Sequence, residues 1–181
     1  MGSPKALLPY QGRPFLDHLL EITRHPEIGV RRIVLGAHAE PIAKLVDLAE
    51  DEIVINQNWK EGQLSSIHAA LRSLPAKTDG LILFLIDHPL ISADLVSRLI
   101  SHFYSSRALI ALPVFRGQRG HPVVFSSRLY PELLAAPVDK GARAVVWANK
   151  NDVHEFVTTE EGCVLNLNDP ATFTRFANPS K

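Results

Sequence analysis

The stretch from residue 80 to 90 constrains this chain most: Gly-Leu-Ile-Leu-Phe-Leu-Ile-Asp-His-Pro-Leu. Six apolar residues, Leu81 to Ile86, run without interruption and stop at the carboxylate of Asp87. A run this short, bounded by Gly80 and Pro89, is the pattern of a strand covered on both faces. Such strands belong to parallel sheets flanked by helices, and ligands of those sheets bind beyond the carboxyl ends of the strands. Asp87 stands at such an end. There it either holds a hard cation such as Mg²⁺ through oxygen or caps the following turn.

Composition narrows the context. A length of 181 residues suggests one domain with a full hydrophobic core. The 19 basic and 19 acidic residues cancel, so the general basic field of a nucleic-acid binder is absent. A single cysteine, Cys163, excludes an internal disulfide framework and fits a reducing cytoplasm. No apolar run approaches the ~20 residues of a membrane span. The opening Met-Gly-Ser-Pro-Lys lacks the apolar core of a signal peptide and a convincing myristoylation pattern.

Hydrophobic periodicity and breakers order the remaining elements. Residues 1–12 read as loop with one short strand. Pro14 opens a helix with Phe15, Leu16, Leu19, Leu20 and Ile22 on one face, and Pro26 stops it. A strand over 31–37 is followed by a helix over 41–50, with Ile42, Leu45, Val46 and Leu48 inside. A strand over 52–56 precedes a helix over 63–74. After the central run, Ser92 N-caps a helix reaching about Tyr104. Strands over 108–114 and 123–125 form a hairpin through the loop 116–122. Short helices over 131–135 and 141–149, a strand over 153–157, a further strand over 164–167 and a closing helix over 171–177 complete the chain. This alternation implies βα units, a mostly parallel sheet and an antiparallel hairpin added near its edge.

Several groups besides Asp87 carry chemistry. Lys5, presented by a Gly/Pro loop, can neutralise phosphate oxygens, or is simply a solvated lysine. Asn56, Trp59, Gly62, Ser65 and Ser66 bring amide, hydroxyl and helix N-terminal N–H groups to one place, where polar ligand groups bind, or they form an ordinary cap. In the loop over 117–122, flanking glycines allow close backbone approach. Arg119 offers a phosphate-matching fork, and His121 a switchable donor. Asp139 and Arg143 read as a cap and a surface charge. Asn166 and Asn168 end the strand over 164–167 with two amides on one face. No His spacing matches a zinc site, and Cys163 has no histidine near it in sequence to make it a nucleophile.

In combination these motifs resemble the molybdenum cofactor cytidylyltransferase branch of the MobA-like nucleotidyltransferases. The matching pieces run in the family's order along nearly the whole chain: residues 1–9, Val34 to Ala37, Trp-x-x-Gly-x-x-Ser-Ser after Asn56, Asp87-His88-Pro89, Gly-x-Arg-Gly-His-Pro, Gly141 to Arg143, and Asn166 to Pro170. The resemblance implies a Rossmann-like, three-layer α/β domain of the nucleotide-diphospho-sugar transferase type over residues 1–181. It implies transfer of CMP from CTP to a molybdopterin-type cofactor with release of pyrophosphate. In that reading Asp87 and Asn168 hold Mg²⁺, and Lys5 and Asp87 are catalytic. Asn56, Ser65 and Ser66 line the nucleotide or acceptor cleft, Arg119 and His121 face the acceptor, and a molybdoenzyme or its chaperone is a downstream partner. Two other readings stay open: a guanylyl or sugar-phosphate acceptor chemistry, and a non-catalytic nucleotide- or cofactor-binding protein. The resemblance departs at two places. Family members carry a strand and a glycine-rich loop ahead of the segment matching Met1, which implies an N-terminally truncated domain, and many carry Asp where Asn166 and Asn168 stand.

Overall fold

The computed structural model describes residues 4–167. Its elements are β1 (Pro9–Tyr10), β2 (Arg13–Pro14), α1 (Phe15–Ile22), β3 (Ile33–Leu35), α2 (Ala39–Leu45), β4 (Ile53–Ile55), α3 (Gln63–Arg72), β5 (Gly80–Leu83), α4 (Ala93–Ser106), β6 (Ile110–Phe115), β7 (Gln118–Arg119), β8 (Val123–Ser126), α5 (Tyr130–Ala135), α6 (Arg143–Ala148) and β9 (Val153–Val157). None of the described helices is long and apolar enough to cross a membrane.

The helices form where their apolar stripes find a sheet. On α1, Phe15, Leu16, Leu19 and Leu20 are buried at helical spacing, as the sequence predicts. Ser92 caps α4 by accepting from the Leu95 N–H at 3.0 Å. Helix α2 starts two residues earlier than expected, at Ala39. Proline is tolerated in a first turn because N–H groups there need no helical acceptor. Its Leu45 is 68 % exposed rather than inside, while Ile42 and Val46 share the buried stripe.

Two sheets result. Strands β3 and β4 pair in parallel, Ile33 to Leu35 against Ile53 to Ile55. The larger sheet runs β5, β8, β6, β9. β8 is antiparallel to both neighbours, and β9 is parallel to β6. The hairpin strand β8 is thus interior, whereas the sequence suggests an addition near the edge. Its residues Val123 to Ser126 are buried throughout, which an interior strand requires. The hairpin turn is confined to Arg116 and Gly117, both at positive φ, and β7 zips back onto Val114 and Phe115.

Layers cover both faces of β5. Leu81 and Leu83 pack into a core built by Leu64, Ile67 and Leu71 of α3 with Leu133 of α5 and Val145 of α6. Ile82 and Phe84 turn to the opposite side, toward Leu95, Val96, Leu99 and Ile100 of α4. A third core joins Leu16 and Leu20 of α1, Ile33 and Leu35 of β3 and Ile42 of α2, and Ile86 packs against it. This is the three-layer α/β arrangement expected. One expected strand is missing: 164–167 follows a 3₁₀ turn at Glu161–Cys163 instead. Gly162 there lies against the Leu90 carbonyl, and the Cys163 carbonyl is taken by the His121 N–H, so that segment packs as a turn and not as a ladder. The expected helix over 171–177 lies outside the described residues.

Candidate active site

The amino-terminal segment is pinned by a short turn. Lys5–Leu7 is 3₁₀, with the Leu7 N–H on the Pro4 carbonyl at 2.9 Å, and Ala6 is buried in the core of α1 and β3. Burying Ala6 leaves the neighbouring Lys5 side chain partly exposed, at 44 %. Its Nζ stands 3.9 Å from Oδ2 of Asp87.

Asp87 follows β5, in a turn closed by the His88 N–H on the Leu85 carbonyl. Its own carbonyl accepts from the Leu167 N–H at 2.8 Å, which ties this turn to the end of the described chain. Its carboxylate is only 19 % exposed, with Oδ2 toward Lys5 and Oδ1 4.0 Å from Nε2 of His88.

Lys5 and Asp87 line one end of a cleft of about 1030 Å³ that runs between β3 and β5. Gly36, Ala37 and His38, the turn after β3, line the same cleft, as do Gln63 and Ser66 in the first turn of α3. The carboxyl ends of two strands, a helix N-terminus, a lysine and a carboxylate therefore share one opening. Free N–H groups of a helix's first turn and a lysine both favour anions. A lone carboxylate facing them suits a hard cation that takes its remaining ligands from phosphate oxygens and water. No cluster of three His, Cys, Asp or Glu that could hold a metal by itself exists among the described residues. Asn168 lies outside the described residues.

Asn56 and Ser65 have a different place. Asn56 is buried. Its Nδ2 donates to Oγ of Ser65 at 2.8 Å and of Ser66 at 3.0 Å, and its Oδ1 accepts from the Asn58 N–H at 2.9 Å. The Ser65 hydroxyl is further within reach of the Gly62 and Asn58 carbonyls. These groups pin the β4–α3 connection internally, and of the three only Ser66 lines the cleft. Trp59 lies directly over Gly36, so its ring packs where any side chain at Gly36 would stand.

The loop over 117–122 is split. Arg119 on β7 pairs with Glu155 of β9, Nε to Oε1 at 2.8 Å, both about half exposed, and it does not line the cleft. His121, two residues on, turns inward. Its ring lies 4.8 Å from that of His88, centroid to centroid. The sequence reading missed His88 as a site residue; its signal was adjacency to Asp87. Burial pushes His121 down to about 4, the His88 charge adds to that, and Asp87 opposes it. Burial also lowers His88, against the pull of Asp87 and the Cys163 backbone. The Nδ1 atoms of both rings are buried without a partner among the described residues. Two neutral imidazoles thus back the carboxylate of Asp87, while Lys5 faces it from the cleft. Cys163, beneath them, is fully buried, and burial pushes its thiol up to about 11, which makes it inert.

Comparison with known proteins places this arrangement. The profile of the MobA-like NTP transferase domain matches residues 1–153. A curated relative named nicotine blue oxidoreductase, from Paenarthrobacter nicotinovorans, is 35% identical over 146 residues, 77% of this chain and 71% of that protein. A molybdenum cofactor guanylyltransferase of Shewanella sediminis (strain HAW-EB3) is 28% identical over 175 residues, 93% of this chain and 84% of that protein. The crystal structure of Rv0371c from Mycobacterium tuberculosis H37Rv superposes with a TM-score of 0.82 at 25% identity, covering 98% of this chain and 90% of that one. Rv0371c has also been crystallised in complex with manganese. The fold is that of the nucleotide-diphospho-sugar transferases.

Proposed function

We propose, from the premise that the chain belongs to the MobA-like NTP transferase domain family, that it transfers CMP from CTP to a molybdopterin-type cofactor and releases pyrophosphate. Nucleotidyl transfer is the family's chemistry; the base and the acceptor are proposed. The observation that carries it is the pairing of Lys5 Nζ with Asp87 Oδ2 at 3.9 Å, at the mouth of a cleft that also takes in the first turn of α3.

In this reaction a phosphate oxygen of the acceptor forms the new bond to the α-phosphorus of CTP. The bond between the α-phosphorus and the bridging oxygen to the β-phosphate breaks, and that oxygen leaves with pyrophosphate. The nucleophile belongs to the acceptor, so no side chain has to become covalently bound. The protein's work is positioning and charge stabilisation. Lys5 neutralises the charge that builds on the α-phosphate oxygens. The N–H groups of the α3 first turn and Ser66 hold the nucleotide, with Asn56 and Ser65 fixing that turn from behind. Arg119 and His121 serve the acceptor side. Here Arg119 has to exchange Glu155 for an acceptor phosphate, an exchange that solvent exposure of the pair makes inexpensive. A divalent ion, Mg²⁺ in this reading, would be held by Asp87 with Asn168 and would supply further neutralisation of the phosphate oxygens. The single carboxylate beside open space fits that donor set. The reaction takes place in the cytoplasm.

Pyrophosphate release tests this directly. The chain is incubated with Mg²⁺, a molybdopterin-type acceptor and either CTP or GTP. CTP-dependent release that requires acceptor supports the reading. Preference for GTP moves the assignment to guanylyl transfer. Release with neither nucleotide, from a folded chain that still binds nucleotide, contradicts transfer.

A further inference from the structure

We infer that the outer edge of β9 is an interface between two copies of this chain. The β9 strands of the two copies pair antiparallel about a two-fold axis at Glu155 and join their larger sheets into one. This inference does not depend on the nucleotidyl reading.

β9 is the outer strand of the larger sheet. Among the described residues it pairs only with β6, in unbroken parallel register from Val153 against Ile110 to Val157 against Val114. Just past its end, the Thr158 N–H donates to the Val114 carbonyl at 2.9 Å. Backbone groups alternate in direction along a strand. Those of His154 and Phe156 therefore also face β6, and those of Val153, Glu155 and Val157 face outward. Such a row of donors and acceptors is a template for another strand, and proteins blunt it with short edges, proline, bulges or charge. β9 has five residues, no proline and no bulge. Its one carboxylate, Glu155, is already neutralised by Arg119 at 2.8 Å.

The side chains of this edge are also incompletely covered. Val153, Glu155 and Val157 share one face of the strand, and Val153 packs into the core beneath α3, α5 and α6. That cover stops short of the edge: Val157 is 75 % exposed, and Glu155 and Arg119 are about half exposed. On the opposite face His154 is exposed and Phe156 is half-buried. The Arg98 guanidinium of α4 lies 4.9 Å from the centre of the Phe156 ring, and the His102 ring lies 5.5 Å from it.

A second copy is the occupant that this edge fits. A two-fold axis at Glu155 is the one axis that pairs every residue of β9 with a β9 residue of the second copy. It sets Val157 opposite Val153, so the exposed valine gains an apolar cross-strand neighbour. On the other face it sets His154 opposite Phe156, which makes two aromatic pairs. Glu155 then meets Glu155 of the second copy, and like charges directly opposite are unfavourable. Each carboxylate brings its own Arg119 guanidinium, however, so the groups around the axis carry no net charge. An axis one residue away would set Glu155 against a valine and leave an end of the strand unpaired. An unrelated strand can also take the outward backbone groups. The match of Val153 to Val157 and the charge balance at Glu155 belong to pairing of this edge with itself.

The test measures mass and register. By sedimentation equilibrium the full chain at about 100 µM, ~100 times a micromolar Kd, should have a dimeric mass. Val157→Asp, which adds an unneutralised charge at an exposed edge position, should stay folded and become monomeric. Register is read with a short bifunctional thiol reagent on Glu155→Cys and Val157→Cys. In the inferred pairing the two copies of position 155 lie about 5.5 Å apart between Cα atoms, and those of position 157 about 14 Å apart. Glu155→Cys should therefore give at least about tenfold more cross-linked dimer than Val157→Cys. The unsubstituted chain, whose Cys163 is buried, should give none. A monomeric mass for the unsubstituted chain overturns the inference. A dimer that survives Val157→Asp overturns it too, because another surface would then hold the copies together. A dimer without the cross-linking excess at position 155 has a different register and likewise overturns it.

Discussion

At the scale of single residues, the carboxylate of Asp87 is defined by what surrounds it. Lys5 meets it from the open cleft, while His88 and His121 back it as neutral, buried rings. That arrangement has a consequence for acid stability. His121 is held near 4 in the folded protein, against 6.5 when exposed, and His88 is lowered as well. Between these values the unfolded chain binds more protons than the folded one. Stability from these rings is therefore complete above pH 6.5 and is lost as the pH falls toward about 4. We expect the denaturant midpoint of the native chain to fall across that window, and the His121→Phe variant to show a shallower fall. Parallel pH profiles for the two would contradict the assignment. None of this pairing was visible in the sequence, where His88 and His121 stand 33 positions apart and fit no metal spacing. Asp87 was legible because an apolar run ending in a carboxylate is a local pattern. Lys5 was legible only through the surrounding motifs, since a lysine near a chain end carries no signal of its own.

At the scale of elements, periodicity located the described α-helices best where the sequence spells out a full buried stripe, and less well on α2, whose predicted Leu45 is 68 % exposed. On α1 the stripe is Phe15, Leu16, Leu19 and Leu20, and on α4 it is Leu95, Val96, Leu99, Ile100 and Phe103. What periodicity could not show was pairing. Val123 to Phe125 reads equally well as an edge or an interior strand, and only the neighbours Leu81 to Leu83 and Ile110 to Ala111 decide for the interior. Likewise the apolar residues Val164, Leu165 and Leu167 suit a strand, but the contact of Gly162 with Leu90 and the bond from His121 to the Cys163 carbonyl hold the segment as a turn. The β4–α3 connection shows the same limit in a site residue. Asn56 was legible as a polar group near the cleft, whereas its buried bonds to Ser65, Ser66 and Asn58 make it chiefly a brace. Asn56→Ala should therefore cost about 1–3 kcal/mol of stability by stranding buried partners. It should also weaken nucleotide binding, by releasing Ser66 and the first turn of α3. Denaturant unfolding and a nucleotide titration on the same preparation check both. Weakened binding with unchanged stability would instead make Asn56 a direct ligand.

At the scale of the molecule, the two sheets meet across the cleft that also houses the candidate site. The opening that gives Lys5, Asp87 and Ser66 their common space is continuous with the apolar slot between β3 and β5. The smaller α1–α2–β3–β4 core should open more readily than the β6-centred core. The fold type was legible from the alternation of strands and helices. The division into two sheets was not, because the pattern of each strand is indifferent to whether one neighbour or two are present. On the proposed function, this cleft binds a nucleoside triphosphate through Asp87 and a divalent ion. Calorimetric titration of the full chain with CTP, with and without Mg²⁺, beside Asp87→Ala tests it most directly. Mg²⁺-dependent binding that is lost in Asp87→Ala, with an unchanged thermal midpoint, is the expected result. Equal binding by the two proteins, or binding indifferent to Mg²⁺, would contradict it.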